Sequence, residues 1–270
     1  MLSYPRMSFQ GKRVMAFESR RAAEIAQLIR LNGGEPIVAP SMREVPIERN
    51  EAAFSFAEKL FRHEFQAVVL LTGVGTRYLA KVLATRYPED GFPTALRSLT
   101  TVVRGPKPAA VLREWNVQID LFAKEPNTWR EVLAVMEGRP ERQIALQEYG
   151  RPTPELVAGL QERGATVTTV PVYQWELPED THPLRAAVHQ LARQQADVVL
   201  FTTGVQVQHL LQIAVEEGVE AEVRQALHVI PIASIGPTCT EALEENGFRP
   251  KMEPSHPKMG ILVREAALQL

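Results

Sequence analysis

Cysteine is almost absent from this chain: Cys239 stands alone among 270 residues, which excludes an internal disulfide. No run of about 18 uninterrupted apolar residues occurs, so a membrane-spanning helix is not expected. The opening MLSYPRMSFQGKR lacks the apolar stretch of a secretory signal, and cytoplasmic residence is the expectation. Neither sign of charge dominates. With 30 Lys and Arg against 32 Asp and Glu the net charge is −2, which argues against a dedicated nucleic-acid binder and leaves any anionic ligand to local charge. Nucleotide signatures are missing too: there is no Gly-x-x-x-x-Gly-Lys-Ser/Thr, and Gly73-Val74-Gly75 is not continued to the third glycine of a dinucleotide fingerprint. The six histidines show no i, i+4 pair and no cysteine at ligand spacing, so they read as surface or packing residues and no metal site is expected. Cys239 itself, with no histidine near it in sequence, reads as a small buried residue. The apolar runs ending at Phe17, Leu71 and Phe201 offer no phosphoacceptor aspartate, which argues against a response-regulator-like signalling protein.

What the chain has is a repeat. AVVLLTGVGTRYLAKVL (from Ala67) and DVVLFTTGVQVQHLLQI (from Asp197) place Gly73 and Gly204 at 204 − 73 = 131 residues, and RGPKPAAVLREWN and IGPTCTEALEENG keep the offset at Gly105 and Gly236. Upstream, Glu24 and Glu155, Gly33 and Gly164, and Pro40 and Pro171 keep it again. Three segments in register indicate a duplicated half. Within each half short apolar runs alternate with amphipathic helices, the pattern of a parallel α/β sheet. Strands are expected at Val14–Phe17, Ala67–Leu71, Thr100–Val103, Ile144–Gln147, Val198–Phe201 and Val229–Ile235, and a helix over Ala22–Leu31 stopped by Asn32-Gly33-Gly34. The proline-punctuated segments 35–48 and 165–178 read as extended connections between two lobes.

Ligands of open α/β sheets sit at the carboxyl ends of strands, where helix N-termini offer free backbone N–H groups. Thr72-Gly73-Val74-Gly75 and Thr202-Thr203-Gly204 are placed there, as are Gly105 and Gly236-Pro237-Thr238. The threonine hydroxyls suit either helix capping or an anion. Arg20, Arg104, Lys107 and Arg151, beside Tyr149-Gly150, suit either solvent or a ligand carboxylate. Four such turns point to a ligand with several negative groups held between lobes. Tyr173, in TVPVYQWEL, is either core packing or a residue bordering that space.

The ordered set LLTGVGTRYL, VVRGPKPAAVL, ALQEYGRPTPEL, VPVYQWEL and SIGPTCTEALEENG resembles uroporphyrinogen-III synthases, from about Lys12 onward. The resemblance implies two flavodoxin-like or Rossmann-like parallel α/β lobes joined by a two-stranded β-ladder. One lobe is discontinuous, residues 1–40 and 178–270; the second spans 46–168; 35–48 and 165–178 connect them. It implies closure of the linear tetrapyrrole hydroxymethylbilane with inversion of ring D and loss of water, by a monomer without cofactor or metal. Tyr173 matches the family tyrosine proposed to assist departure of the hydroxyl, and Thr203 and Thr238 match hydroxyl-bearing cleft positions. The sequence departs from some relatives at Gly73, where serine occurs, and at Pro108 and Cys239, where hydroxyl residues occur. A bilobal, non-catalytic binding protein for a polycarboxylate is the alternative these residues leave open.

Overall fold

A computed structural model of the chain describes residues 8–47, 50–148, 150 and 152–270. The first repeat runs β1 (Arg13–Ala16), α1 (Ala22–Leu31), β2 (Glu35–Val38), β3 (Arg43–Pro46), α2 (Glu51–Phe61), β4 (Ala67–Leu70), α3 (Gly73–Leu83), α4 (Gly91–Leu96), β5 (Thr100–Val103), α5 (Pro106–Glu114), β6 (Leu121–Phe122) and α6 (Trp129–Val135). The second runs β7 (Gln143–Gln147), α7 (Pro154–Gln161), β8 (Thr166–Val170), β9 (Tyr173–Glu176), α8 (His182–Ala192), β10 (Val198–Phe201), α9 (Gly204–Glu216), α10 (Glu220–Val229), β11 (Ile232–Ser234), α11 (Pro237–Glu245) and α12 (Met259–Gln269). The duplication is structural as well as sequential. β4 and β10, and α5 and α11, begin and end 131 residues apart. Where the first repeat pairs Val102 with Leu121, the second has an isolated parallel bridge between Ala233 and Met252, at the same offset.

The chain divides into two compact units, one formed by residues up to Arg43 with Glu176–Leu270, the other by Glu44–Trp175. The Glu44–Trp175 unit holds a five-stranded parallel sheet in the order β6-β5-β4-β7-β8. The discontinuous unit holds a parallel sheet in the order β11-β10-β1-β2. Mapped through the repeat the two orders are the same, but the opening strand-helix-strand of each repeat lies in the sheet built by the other repeat. β1 pairs with β10, Val14 opposite Val198, as β7 pairs with β4, Ile144 opposite Ala67.

Sequence explains why the central strands sit where they do. AVVL of β4 and VVLF of β10 are buried at every position, as strands covered on both faces must be. In the discontinuous unit alternate residues feed opposite cores: Met15, Phe17, Val199, Phe201 and Ile232 pack on one face, and Val14, Ala16, Val198, Leu200 and Ala233 on the other. Each large side chain so buried contributes about 1.5 to 3 kcal/mol.

Two expectations need adjusting. Val229–Ile235 is not one strand: Val229 closes α10, and β11 begins only at Ile232. Pro231 supplies the reason, since it lacks an N–H and disfavours helical geometry at Ile230, which is extended at φ −75° and ψ 130°. The extended segments also divide. β2 and β8 join the edges of the two parallel sheets, while β3 and β9 form the separate two-stranded sheet where the chain passes from one unit to the other. Glu48, in the first segment, lies outside the described residues.

Candidate substrate site

In the Glu44–Trp175 unit the sequence-predicted residues gather around the start of α3. Thr72 is extended at φ −142° and ψ 147°, and its hydroxyl accepts the Gly75 N–H at 3.0 Å, so this threonine caps the helix. The same oxygen lies 3.4 Å from the Tyr173 hydroxyl. Tyr173 is only 3% exposed and packs between Tyr78 and Trp175, with ring centroids 5.9 and 6.3 Å away. Packing therefore holds the ring while the phenol oxygen meets a polar helix N-terminus.

The glycines of this turn have measurable reasons. A Cβ on Gly73 would lie 2.7 Å from the Lys107 carbonyl oxygen, and one on Gly75 would lie 2.2 Å from the Gln147 amide nitrogen. Their absence lets α3 start against both α5 and β7. Gly150 has φ +67°, and a Cβ there would be 2.5 Å from the Trp175 ring. Val74 lies half-buried between the two glycines of α3. Arg104 is half-buried and its N–H donates to the Leu70 carbonyl at 3.1 Å; Gly105 precedes α5, and Lys107 is exposed in the first turn of that helix. Tyr149 and Arg151 lie outside the described residues.

The discontinuous unit presents the repeated features with different bonding. The Thr202 hydroxyl donates to Glu18 at 2.6 Å and accepts from the Gln206 amide at 2.8 Å, while the Thr202 N–H donates back to the Gln206 amide oxygen at 2.8 Å. Thr202 thus joins half-buried Glu18 to the buried Gln206 amide, while the cap position of α9 falls to its neighbour. Thr203 occupies the cap position with no side-chain cap bond. Gly204 lets α9 approach α11, since a Cβ would fall 2.5 Å from the Ala242 Cβ. Gly236-Pro237-Thr238 opens α11, with proline in its first turn and Thr238 half-buried. Arg20 is exposed in the turn before α1. Cys239 is buried, its thiol 3.8 Å from the Phe201 carbonyl.

Several polar groups at these strand ends escape sequence reasoning. Gln147, 1% exposed, accepts the Thr72 N–H at 3.3 Å and donates to the Glu148 carbonyl. Glu148 is buried at the end of β7, and burial pushes its carboxyl above the ordinary range; the Thr153 N–H approaches it at 3.4 Å, while the buried Thr153 hydroxyl has no hydrogen-bond partner. Glu18 and Glu148 correspond by strand register, in which β1 and β7 match one residue short of the 131 offset, so the acids following β1 and β7 are the available signal. His209 is buried with Nδ1 2.6 Å from the Ser41 carbonyl, and burial lowers its pKa. Nδ1 thus carries the proton of a neutral ring. Among the described residues no group of three or more His, Cys, Asp and Glu gathers to hold a metal ion, and no helix is long and apolar enough to cross a membrane.

Comparison with known proteins places the chain. The sequence profile of the family described as uroporphyrinogen-III synthase HemD matches residues 23–264. The chain belongs to that family. Uncharacterized protein YjjA of Bacillus subtilis is 28% identical over 263 residues, 95% of either chain. A mutant uroporphyrinogen III synthase from the extremely thermophilic bacterium Thermus thermophilus superposes with a TM-score of 0.71 at 23% identity, covering 96% of this chain and 99% of that one. The synthase of Helicobacter pylori does so with a TM-score of 0.53 at 15% identity, covering 94% and 98%. These synthases share the two-lobed parallel α/β fold of the chain.

Proposed function

We propose that this protein is a uroporphyrinogen-III synthase that cyclises hydroxymethylbilane with inversion of ring D and loss of one water, as a monomeric cytoplasmic enzyme needing no cofactor or metal. The family match across residues 23–264, which takes in both repeats, carries the reading. The chemistry is in keeping with it. The substrate bears acetate and propionate arms on all four pyrroles, and the starts of α3, α5, α9 and α11 each offer backbone donors and the positive end of a helix dipole. A protein of net charge −2 can hold many carboxylates in that way, with Arg20, Arg104, Lys107 and Arg151 adding local charge. Thr203 and Thr238 are assigned as hydroxyl donors to the substrate.

In the proposed reaction the Tyr173 phenol donates its proton to the departing hydroxyl, which leaves as water and generates an electrophilic methylene on ring A. The substituted carbon of ring D attacks it to form a spiro intermediate, and rearrangement followed by proton loss closes the macrocycle. Electrons balance without a redox partner, so placement of the chain ends and delivery of one proton are what the protein has to supply. Unassisted closure gives the type I macrocycle. The deciding experiment is isomer analysis of purified protein with hydroxymethylbilane, with and without chelator: mainly the type III product in both arms is expected, and a mixture matching the protein-free control would refute the assignment in favour of a polycarboxylate binder.

A further inference from the structure

We infer that Gln147 is a positioning residue for the reaction: its buried amide holds the Thr72 peptide in place, so that the Thr72 hydroxyl meets the Tyr173 phenol. The inference rests on the reading of Tyr173 as proton donor. Three contacts make the chain of reasoning. The Gln147 amide oxygen takes the Thr72 N–H at 3.3 Å, its amide nitrogen is anchored on the Glu148 carbonyl, and the Thr72 hydroxyl lies 3.4 Å from the Tyr173 hydroxyl. Thr72 is further pinned by the Thr76 hydroxyl, which donates to its carbonyl at 2.8 Å. The phenol therefore meets a hydroxyl whose peptide is held on both sides, by β7 through Gln147 and by α3 through Thr76.

The other repeat shows that this arrangement is a particular solution. There sheet register, with Val14 opposite Val198 as Ile144 is opposite Ala67, puts Phe17 where β7 has Gln147, one residue short of the 131 offset; Phe17 stacks on Phe201 at 5.3 Å, and the position 131 residues after Gly75 is Gln206. Gln206 reaches back to take the Thr202 N–H at 2.8 Å, one residue before Thr203, which is the counterpart of Thr72. Each half thus fills the space beside the strand-to-helix turn with one buried glutamine amide, supplied by the helix in one case and by the neighbouring strand in the other. Only the strand-borne version leaves Gly75 in the helix, with no room for a Cβ beside the Gln147 amide. Among the described residues only that version brings a tyrosine hydroxyl to the turn: the hydroxyl bonded to Gln206 donates to Glu18 instead. In the half that carries Tyr173 the glutamine amide holds the peptide of the capping threonine itself, whereas in the other half it holds the residue before the cap position.

The test combines a spectroscopic readout at the phenol with kinetics. Protein labelled with [13Cζ]tyrosine carries five such residues, and the Tyr173 resonance is the one lost in Tyr173→Phe. Gln147→Met removes the amide while keeping its bulk; Gly75→Ala, independently, displaces the same amide. In both folded variants the Tyr173 resonance is expected to move beyond its parent linewidth, with kcat down by about five- to thirtyfold and KM within about twofold. A Tyr173 resonance unmoved in either variant that folds overturns the inference. Parent protein without type III synthesis would instead overturn the proposed function, and the resonance comparison would still decide whether Gln147 positions the phenol.

Discussion

Tyr173 is a residue whose burial serves two readings, and its substitution separates them. At 3% exposure its ring is part of the core of the Glu44–Trp175 unit, yet its hydroxyl meets Thr72 at a helix N-terminus. Tyr173→Phe removes only that oxygen. Turnover is expected to fall about 10²- to 10⁴-fold, the range for losing one general acid, with type III selectivity retained because substrate placement survives. Turnover within twofold of the parent would make Tyr173 a packing residue and send the search for the donor to Thr203, Thr238 or water. Glu148 makes a second prediction at this scale. Burial lifts its folded pKa above the ordinary 4.5, so the folded state holds the proton longer than the unfolded chain. Stability then falls as pH rises from the unfolded value through the folded one. Glu148→Gln keeps an acceptor for the Thr153 N–H and abolishes that slope, so its stability relative to the parent should rise in urea titrations as pH climbs above the ordinary 4.5. Asp197, held down at about 2 by its hydrogen bonds with Arg13, acts in a separate window: its contribution is full above the ordinary 3.8 and disappears as pH falls toward 2. An unchanged difference between Glu148→Gln and parent across the upper range would mean the carboxyl is not desolvated.

At the scale of elements, two glycines in helices have opposite expected responses. A Cβ on Gly204 would meet the Ala242 Cβ at 2.5 Å, forcing α9 away from α11, so Gly204→Ala should destabilise by about 1 to 3 kcal/mol. On Gly260, in α12, a Cβ would meet nothing within 4 Å, and Gly260→Ala should stabilise by up to about 1 kcal/mol through helix propensity. Thermal melts of the two variants check both signs. Gly204 was marked by the repeat, as was Gly73, because each sits where an apolar strand run gives way to a helical stripe. Such positions are legible from sequence since they depend on local periodicity and on the need for close backbone approach. The end of α10 was less so: Val229 and Ile230 suit a strand, and the effect of Pro231 on its predecessor outweighed that preference. Gln147 and Thr202 were illegible for another reason. What a buried amide or hydroxyl does depends on which strand lies beside it, and β7 lies beside β4 only through a contact between distant parts of the chain. Even the offset that exposed the repeat could not say which half would bond Thr202 to Glu18.

The whole molecule is a duplication in which the two halves have exchanged their opening strand-helix-strand, and this has a consequence for folding. Segment Glu44–Trp175 is contiguous and contains all five strands of its sheet together with a core drawn from its own residues. Segment Glu176–Leu270 retains only β10 and β11 of the other sheet, because β1 and β2 come from the beginning of the chain. It also loses Phe9, Val14, Ala16, Ile25 and Ile29 from the core against which α12 packs. Two strands without a complete covered face are marginal in water, and each of those missing large side chains would have contributed about 1.5 to 3 kcal/mol. Expressed alone, Glu44–Trp175 should therefore unfold cooperatively in urea, whereas Glu176–Leu270 should lack a cooperative transition and bind an apolar dye. Adding a peptide covering residues 8–43 should restore the transition, since it returns the bidentate pairing of Arg13 with Asp197 along with the missing strands and apolar surface. A cooperative Glu176–Leu270 that ignores the peptide would show that the exchanged segment decorates its sheet without completing it.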